Sequence, residues 1–205
     1  MRPKRKDAAA TKLRIVEAAE RVISRRGLSR ATTKEIAKAA GCAEGTLYVH
    51  FRNQMEIFAT IFERRLPTAA EALKSLQIED AKSDVTNNLV IALLGVSKFL
   101  ENVMPILAGA LADPTLGKAF RETWREFGFG PQNFVARVTA FIRSEQKRGR
   151  IPRTTDAEVS SEALVGYLFY SAFKVNLLNG KEQAVYKSQL RDIVRANIFG
   201  PTTEG

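Results

Sequence analysis

The 205-residue sequence predicts an all-α fold for three reasons. Apolar residues recur every three or four positions in most segments, as they do on one face of a helix. Glycine and proline divide the chain into stretches of helical length. No segment shows the apolar–polar alternation of a half-buried strand. We therefore expect an N-terminal three-helix domain over 1–54, with a basic tail at 1–7, and a C-terminal helical bundle over 55–205.

The first predicted helix runs from Ala8 to Arg26. Its apolar residues lie on one helix face: Ile15, Ala19, Val22 and Ile23. Gly27 ends the helix, because glycine enters the left-handed conformation at little cost. The basic tail MRPKRK before it has two interpretations, an arm lying along DNA or a disordered, solvated terminus.

Two short helices joined by a tight turn are predicted between Thr32 and Phe51. The apolar residues of both repeat at helical spacing: Ile36, Ala37 and Ala40 in the first helix, and Leu47, Tyr48 and Phe51 in the second. Gly41 stands between them, where one helix must end and the chain must reverse. This arrangement is a helix-turn-helix, whose second helix enters a major groove.

The ends of these two helices are also readable from the sequence. Thr32 with Glu35 fits a capping box, although Thr33 is an alternative cap. The second helix is predicted from Glu44 to His50. A turn follows it, and a long helix connecting the two domains begins at residue 55.

The rest of the chain continues the helical pattern. Pro67 either kinks the connecting helix or interrupts it, since proline removes a helix hydrogen bond. Pro105 and Asp113-Pro114 end further segments. The later helices are predicted at Val85–Val103, Leu116–Phe127, Phe134–Arg148, Thr155–Asn179 and Lys181–Phe199.

Composition and charge narrow the functional classes. Apolar residues make up 45% and charged residues 26%, as in a soluble globular protein. Residues 1–66 hold 15 basic and seven acidic residues, so the first third carries +8 of the net +10. A basic end on a near-neutral body favours a polyanion partner, with an ordinary solvated surface as the alternative. The apolar runs are shorter than a bilayer requires, and no signal peptide is evident, so we expect a cytoplasmic protein without a membrane partner.

Catalytic and metal chemistry find little support in the sequence. The single cysteine, Cys42, excludes an intrachain disulfide and is more typical of a small core residue than of a redox sensor. His50 is the only histidine, and no cluster of metal ligands surrounds it. We find no phosphate loop or nucleophile elbow. We therefore expect no enzyme, no catalytic residue, no metal and no cofactor.

The stretch TTKEIAKAAGCAEGTLYVHF resembles the DNA-binding domain of the tetracycline-repressor (TetR) family of bacterial regulators. The matching parts are Thr33, Ile36-Ala37, Gly41, Gly45-Thr46-Leu47-Tyr48, His50 and Phe51. The resemblance covers about residues 10–60, and beyond it only length and helical architecture agree. It implies a homodimer that binds double-stranded DNA through the N-terminal domain and uses the C-terminal bundle for ligand binding and dimerisation.

The resemblance also implies a set of DNA-contacting residues. Thr33 and Lys34 would face DNA at the start of the first helix, and the recognition helix would place some residues at base edges and others at phosphates. The full set is Thr33, Lys34, Glu44, Gly45, Thr46, Tyr48, Val49, His50 and Gln54. Three departures concern affinity and base preference: Ala43 replaces a capping serine, Glu44 is acidic, and Gln54 replaces a lysine.

Two further sets each have two interpretations. An aromatic-rich set is either ordinary core or the lining of a cavity between helices: Phe99, Met104, Trp124, Phe127, Phe134, Phe141 and Tyr170. Apolar residues of the last two helices are either core or a two-fold interface: Leu164, Leu168, Ala172, Tyr186, Leu190, Ile193 and Val194. The resemblance favours the cavity and the interface.

Together these observations predict a transcriptional repressor released from a pseudo-palindromic operator by an apolar or amphipathic small molecule. The alternatives are a DNA-binding regulator without a small ligand, and a small-molecule carrier or enzyme with an incidental basic end.

Overall fold

A computed structural model describes residues 5–74, 76, 84–127, 130–178 and 187–200. The described residues form nine α-helices and a short 3₁₀ turn at Leu28–Arg30, with no strand among them. The helices are α1 (Arg5–Arg26), α2 (Thr33–Ala40), α3 (Glu44–His50), α4 (Gln54–Lys74), α5 (Val85–Ala112), α6 (Pro114–Phe127), α7 (Pro131–Lys147), α8 (Ala157–Leu177) and α9 (Lys187–Phe199). The predicted all-α fold is thus confirmed.

The chain divides into two compact units, and the division does not follow the predicted boundary at 54/55. The first unit comprises Met1–Arg65 with Val103–Gly128, and the second comprises Leu66–Asn102 with Phe129–Gly205. Helices α4 and α5 therefore each belong partly to one unit and partly to the other. The functional boundary at 54/55 stays a prediction.

In the first unit, α1 packs against both α2 and α3. The core of this three-helix arrangement consists of fully or almost fully buried side chains: Ile15, Ala19, Ile36, Leu47 and Phe51. Arg65 of α4 donates two hydrogen bonds to Glu20 of α1, at 2.9 and 3.1 Å. The hydrogen bond from Arg65 to Glu20 raises the pKa of the guanidinium. This pair therefore ties the middle of α4 to α1.

A close approach in the same unit depends on Gly109 of α5. A Cβ atom at this position would lie 2.3 Å from the Cβ atom of Leu28, far inside van der Waals contact. Leu28 is buried in the 3₁₀ turn between α1 and α2. Any side chain at residue 109 would push the turn and α5 apart.

Both long helices continue through an internal proline. Helix α4 contains Pro67 and α5 contains Pro105. The expectation that α5 ends near Val103 was therefore wrong. Proline costs one backbone hydrogen bond, but burial of the apolar residues on both sides of Pro105 keeps the helix continuous: Val103, Met104, Ile106 and Leu107.

In the second unit, α7 packs against α8 across a tightly bonded loop. Glu145 of α7 is buried, and its carboxylate pairs with Arg150 at 2.5 Å and with Arg148 at 3.1 Å. At the far end of the loop, the Asp156 side chain accepts from the backbone N–H groups of Glu158 and Val159 and caps α8. The buried carboxylate holds the loop from the α7 side, and the cap holds it from the α8 side.

Helix α5 corrects the expectation that no segment is long and apolar enough to cross a bilayer. Among the described residues it is the one helix that passes by length and composition, with a mean hydropathy of 1.6. However, 61% of that apolar window is buried within the chain, as in the core helix of a globular protein.

Candidate nucleic-acid interface

Local signals define both ends of α2. The Thr32 side chain accepts a hydrogen bond from the backbone N–H of Glu35 at 3.3 Å, so Thr32 rather than Thr33 is the cap. At the other end Gly41 is left-handed, with φ 64°. The backbone N–H groups of Gly41 and Cys42 donate to the carbonyls of Lys38 and Ala37. This pair of bonds is a Schellman motif, which reverses the chain directly into α3.

Helix α3 spans Glu44–His50, as the sequence predicts, and begins without a side-chain cap. Ala43 has the extended conformation of a capping residue but supplies no hydrogen bond. The helix is anchored on one side by Leu47, which is almost completely buried. The opposite side carries two large exposed side chains, Tyr48 and Val49, with relative exposures of 57% and 80%. A seven-residue helix therefore presents apolar surface outward, as contact with a thymine methyl group requires.

The structure brings two predicted contact residues together. The Thr33 hydroxyl, on the first residue of α2, donates to the Glu44 carboxylate, on the first residue of α3, at 2.5 Å. The bond links α2 to α3 at the exposed N-terminal end of each helix. A carboxylate has about four acceptor sites. Glu44 can therefore accept from Thr33 and still accept from a base edge.

Packing within the chain does not explain why residue 45 is a glycine. It lies inside α3, is exposed, and a Cβ built on it would meet nothing within 4 Å. Glycine within a helix costs roughly 1 kcal/mol relative to alanine. The empty space in front of Gly45 leaves room for a phosphate backbone or base edge to approach the helix closely.

The remaining predicted contact residues fall into two groups. Lys34 is exposed, and Thr46 and His50 are half-buried, so each has surface to offer. Gln54 differs, because its side-chain amide donates to the carbonyl of Ala31 at 2.5 Å and is partly buried. Its amide ties the start of α4 to the loop before α2, and the assignment of Gln54 as a DNA contact stays a prediction.

Comparison with known proteins agrees with this geometry. Residues 15–61 match the family model described as bacterial regulatory proteins, tetR family. These residues contain α2, the turn and α3, together with most of α1. Residues 15–61 therefore form a DNA-binding domain of the tetR family.

Individual relatives extend the similarity beyond this domain along most of the chain. The regulator TtgR of Pseudomonas putida is 27% identical over 173 residues, which are 82% of this chain and 81% of TtgR. The structure of native NalD, the secondary repressor of the MexAB-OprM multidrug efflux pump in Pseudomonas aeruginosa, superposes with a TM-score of 0.71 at 21% identity, covering 97% of this chain and 100% of NalD. FadR from Bacillus subtilis, solved in complex with stearoyl-CoA, superposes with a TM-score of 0.67 at 17% identity, covering 92% and 98%. The chain is a DNA-binding transcriptional regulator.

The aromatic-rich set is only partly brought together. Phe99 and Phe134 are buried and meet edge to face, with ring centroids 5.9 Å apart. Phe141 is also buried in the second unit. Tyr170 needs correcting, since 59% of it is exposed on the outer side of α8. Met104 is buried in the first unit, and the side chains of Trp124 and Phe127 lie outside the described residues.

The residues assigned to a two-fold interface also need correcting. Five of them are completely buried within the single chain and have no surface for a second copy: Leu164, Leu168, Ala172, Leu190 and Val194. Ile193 is half-buried, and Tyr186 lies outside the described residues.

The outer side of α8 instead carries an exposed stripe at intervals of three or four residues, which we call the α8 face: Val159, Ala163, Gly166, Tyr170, Phe173 and Leu177. The spacing is present in the sequence. However, α8 is apolar on nearly every side, so spacing alone does not distinguish the outer face from the buried one.

No group of three or more potential metal ligands occurs in the described part of the chain. Cys42 is half-buried in the turn between α2 and α3.

Proposed function

We propose that the chain represses transcription in the cytoplasm as a homodimer, and that an apolar or amphipathic small molecule releases it from a pseudo-palindromic operator. The exposed surface of α3, anchored by Leu47 and held to α2 through Thr33 and Glu44, is the observation that carries the DNA-binding part. Two such helices in a two-fold dimer would read two half-sites about one DNA turn, or a multiple of it, apart.

The α8 face supports the homodimer. Tyr170, Phe173 and Leu177 are each more than half exposed, and they line one side of a long helix. A soluble chain seldom leaves so continuous an apolar stripe in water. In a two-fold interface the same stripe covers itself, with Gly166 and Ala163 allowing the two helices to approach closely. A second copy of the chain is therefore the partner we propose for this face.

The effector class follows from the apolar second unit and from the relatives. FadR of Bacillus subtilis binds stearoyl-CoA in its solved structure, and NalD controls a multidrug efflux pump. Both descriptions are compatible with an amphipathic effector that has an apolar body. The buried edge-to-face pair Phe99 and Phe134 belongs to the kind of lining such a body requires.

The DNA-binding part is tested by selecting duplexes from a random pool and titrating the best of them at several salt concentrations. We expect a pseudo-palindromic sequence and an affinity that falls steeply as salt rises. Lys34→Ala should reduce the salt slope by about one phosphate contact. Lys38→Ala, which removes an exposed lysine four residues further along α2, is the matched control and should change the slope less. The absence of salt-dependent binding to any duplex would refute the proposal.

The effector part is tested on the selected duplex with stearoyl-CoA as the probe and coenzyme A as the control. We expect release by the acyl thioester and none by coenzyme A, since the apolar chain supplies the binding energy. Retention on DNA in the presence of stearoyl-CoA and of apolar drug-like molecules would favour a regulator without a small ligand.

A further inference from the structure

The internal proline of α5 leaves one backbone carbonyl without its helical partner. Proline has no N–H, so residue 105 cannot donate to the carbonyl four residues earlier, which is that of Glu101. Glu101 and Pro105 are half-buried, and their neighbours Val103, Met104 and Ile106 are buried, so water reaches this carbonyl from one side at most. A carbonyl that is partly shielded from water and has no donor is destabilising, so a donor from outside the helix backbone stabilises it.

Asn176 of α8 provides the missing donor. Its side-chain amide donates to the Glu101 carbonyl at 3.1 Å. The same nitrogen donates to the Ala172 carbonyl, within α8, at 2.9 Å. Both N–H bonds of the amide are thereby used, and the second fixes the plane of the amide on α8.

The other internal proline shows that this arrangement is not automatic. Pro67 of α4 removes the donor to the carbonyl of Glu63. Pro67 and Glu63 are both exposed, so water reaches this side of the helix. At Pro67 solvent can satisfy the carbonyl, whereas at Pro105 a side chain of another helix does so.

The position of the Asn176 bond gives it a role beyond satisfying a polar group. Helix α5 passes from the second unit to the first between Asn102 and Val103, within one turn of both Glu101 and Pro105. A helix that lacks a hydrogen bond at a proline bends there more easily. We infer that Asn176 is a positioning residue, which restrains the bending of α5 at Pro105.

The inference extends to DNA binding, and there it rests on the proposed homodimer. Asn176 lies on α8, the helix that carries the α8 face. Helix α5 continues along the chain from this bond into the first unit, which contains α3. We expect loss of the Asn176 bond to change which distances between two half-sites the dimer can match.

The structural part is tested by amide hydrogen exchange over 103–109, proline excepted, in four forms of the full chain: wild type, Asn176→Ala, Pro105→Ala and the double variant. Asn176→Ala should raise exchange in this segment about tenfold. Pro105→Ala restores the backbone donor to Glu101, so adding Asn176→Ala to it should change exchange by less than about twofold. Equal effects of Asn176→Ala in both backgrounds would overturn the inference.

Asn102→Ala is the matched control. The Asn102 amide also donates to a carbonyl of α5, that of Lys98, at 2.6 Å. Lys98 keeps its ordinary helical partner, so this variant should leave exchange unchanged. An increase as large as that of Asn176→Ala would count against a special role for Asn176. Should Asn176→Ala fail to fold, the double variant must fold, and a double variant that is also unfolded would overturn the inference.

The functional part uses the selected duplex and two versions with one central base pair added or removed. The wild type should lose affinity for the altered spacings, and Asn176→Ala should reduce that loss about fivefold or more. An unchanged spacing penalty in Asn176→Ala would overturn the functional part. If the wild type binds no duplex, the proposed function fails, and hydrogen exchange alone still decides the role of Asn176.

Discussion

Replacing Glu44 by glutamine should change which base the recognition helix prefers. A carboxylate accepts hydrogen bonds and pairs with the amino group of cytosine, whereas glutamine pairs with adenine through one donor and one acceptor. Glu44 is exposed at the first position of α3, and the Thr33 hydroxyl holds its carboxylate at 2.5 Å. We therefore expect wild type to select cytosine at one position of each half-site, and Glu44→Gln to select adenine there.

The magnitude follows from the number of hydrogen bonds. A good bidentate pair discriminates by ~1–3 kcal/mol, and a single carboxylate acceptor lies near the lower end of that range. A discrimination of ~1 kcal/mol corresponds to a preference of about fivefold for the right base. Thr33→Val removes the hydroxyl with little change of shape and should cost roughly 1 kcal/mol of that discrimination. Thr33→Ser, which keeps the hydroxyl, is the matched control.

The assay is selection from random duplexes, followed by titration of each variant against the four bases at the selected position. The ratio of affinities is the informative quantity, because Glu44→Gln removes a negative charge and should strengthen binding to every duplex. The reasoning is wrong if Glu44→Gln binds more tightly overall but ranks the four bases as wild type does.

Three other substitutions test separate features. Gly45→Ala should raise the free energy of unfolding by ~0.5–1 kcal/mol, since residue 45 is helical and a Cβ there meets nothing in the chain. The same methyl group should weaken DNA binding. Denaturant unfolding measures the stability and duplex titration measures the affinity, and a change of both in the same direction would refute this. Phe173→Glu should convert the dimer to a monomer in sedimentation experiments, because a two-fold interface buries the new charge twice, whereas Lys187→Glu, on an exposed position of α9, should not. Glu145→Gln should lower the free energy of unfolding by about 3 kcal/mol, since it leaves the charges of Arg148 and Arg150 without their buried partner, and a loss below about 1 kcal/mol would show that water already reaches the pair.

The sequence predicts the helix-turn-helix accurately because its signals are local. Thr32 caps a helix through an atom three residues away, and Gly41 supplies a conformation that other residues adopt only at a cost. Neither effect depends on the rest of the fold. The position of α3 follows directly. The turn at Gly41 fixes where the helix starts, and Leu47 fixes which side of it is buried.

The later helices are harder to read because their limits depend on distant residues. The sequence indicates a break at Pro105, yet α5 continues because apolar residues on both sides of it are buried, and Asn176, far away along the chain, supplies the missing donor. The α8 face presents the second difficulty. Leu168 and Tyr170 are both apolar enough to be buried, and only the packing of the folded chain distinguishes the core residue from the exposed one. Gln54 presents a third difficulty, because an amide can donate to a phosphate or to a backbone carbonyl, and the sequence does not show that it donates to the carbonyl of Ala31.

Because Gly109 and Leu28 are in close contact, α5 cannot move closer to the 3₁₀ turn unless Leu28 moves as well. With so little space between the backbone of α5 and the 3₁₀ turn, a displacement of α5 toward the turn cannot be absorbed by an adjustable side chain. Leu28 has to move with it, and the loop that leads to Thr32 and the start of α2 follows directly along the chain. The close contact at Gly109 thus transmits a displacement of α5 to Leu28 and, along the chain, to the start of α2. A larger residue at 109 would set a different resting position for α2 without altering any residue that faces DNA.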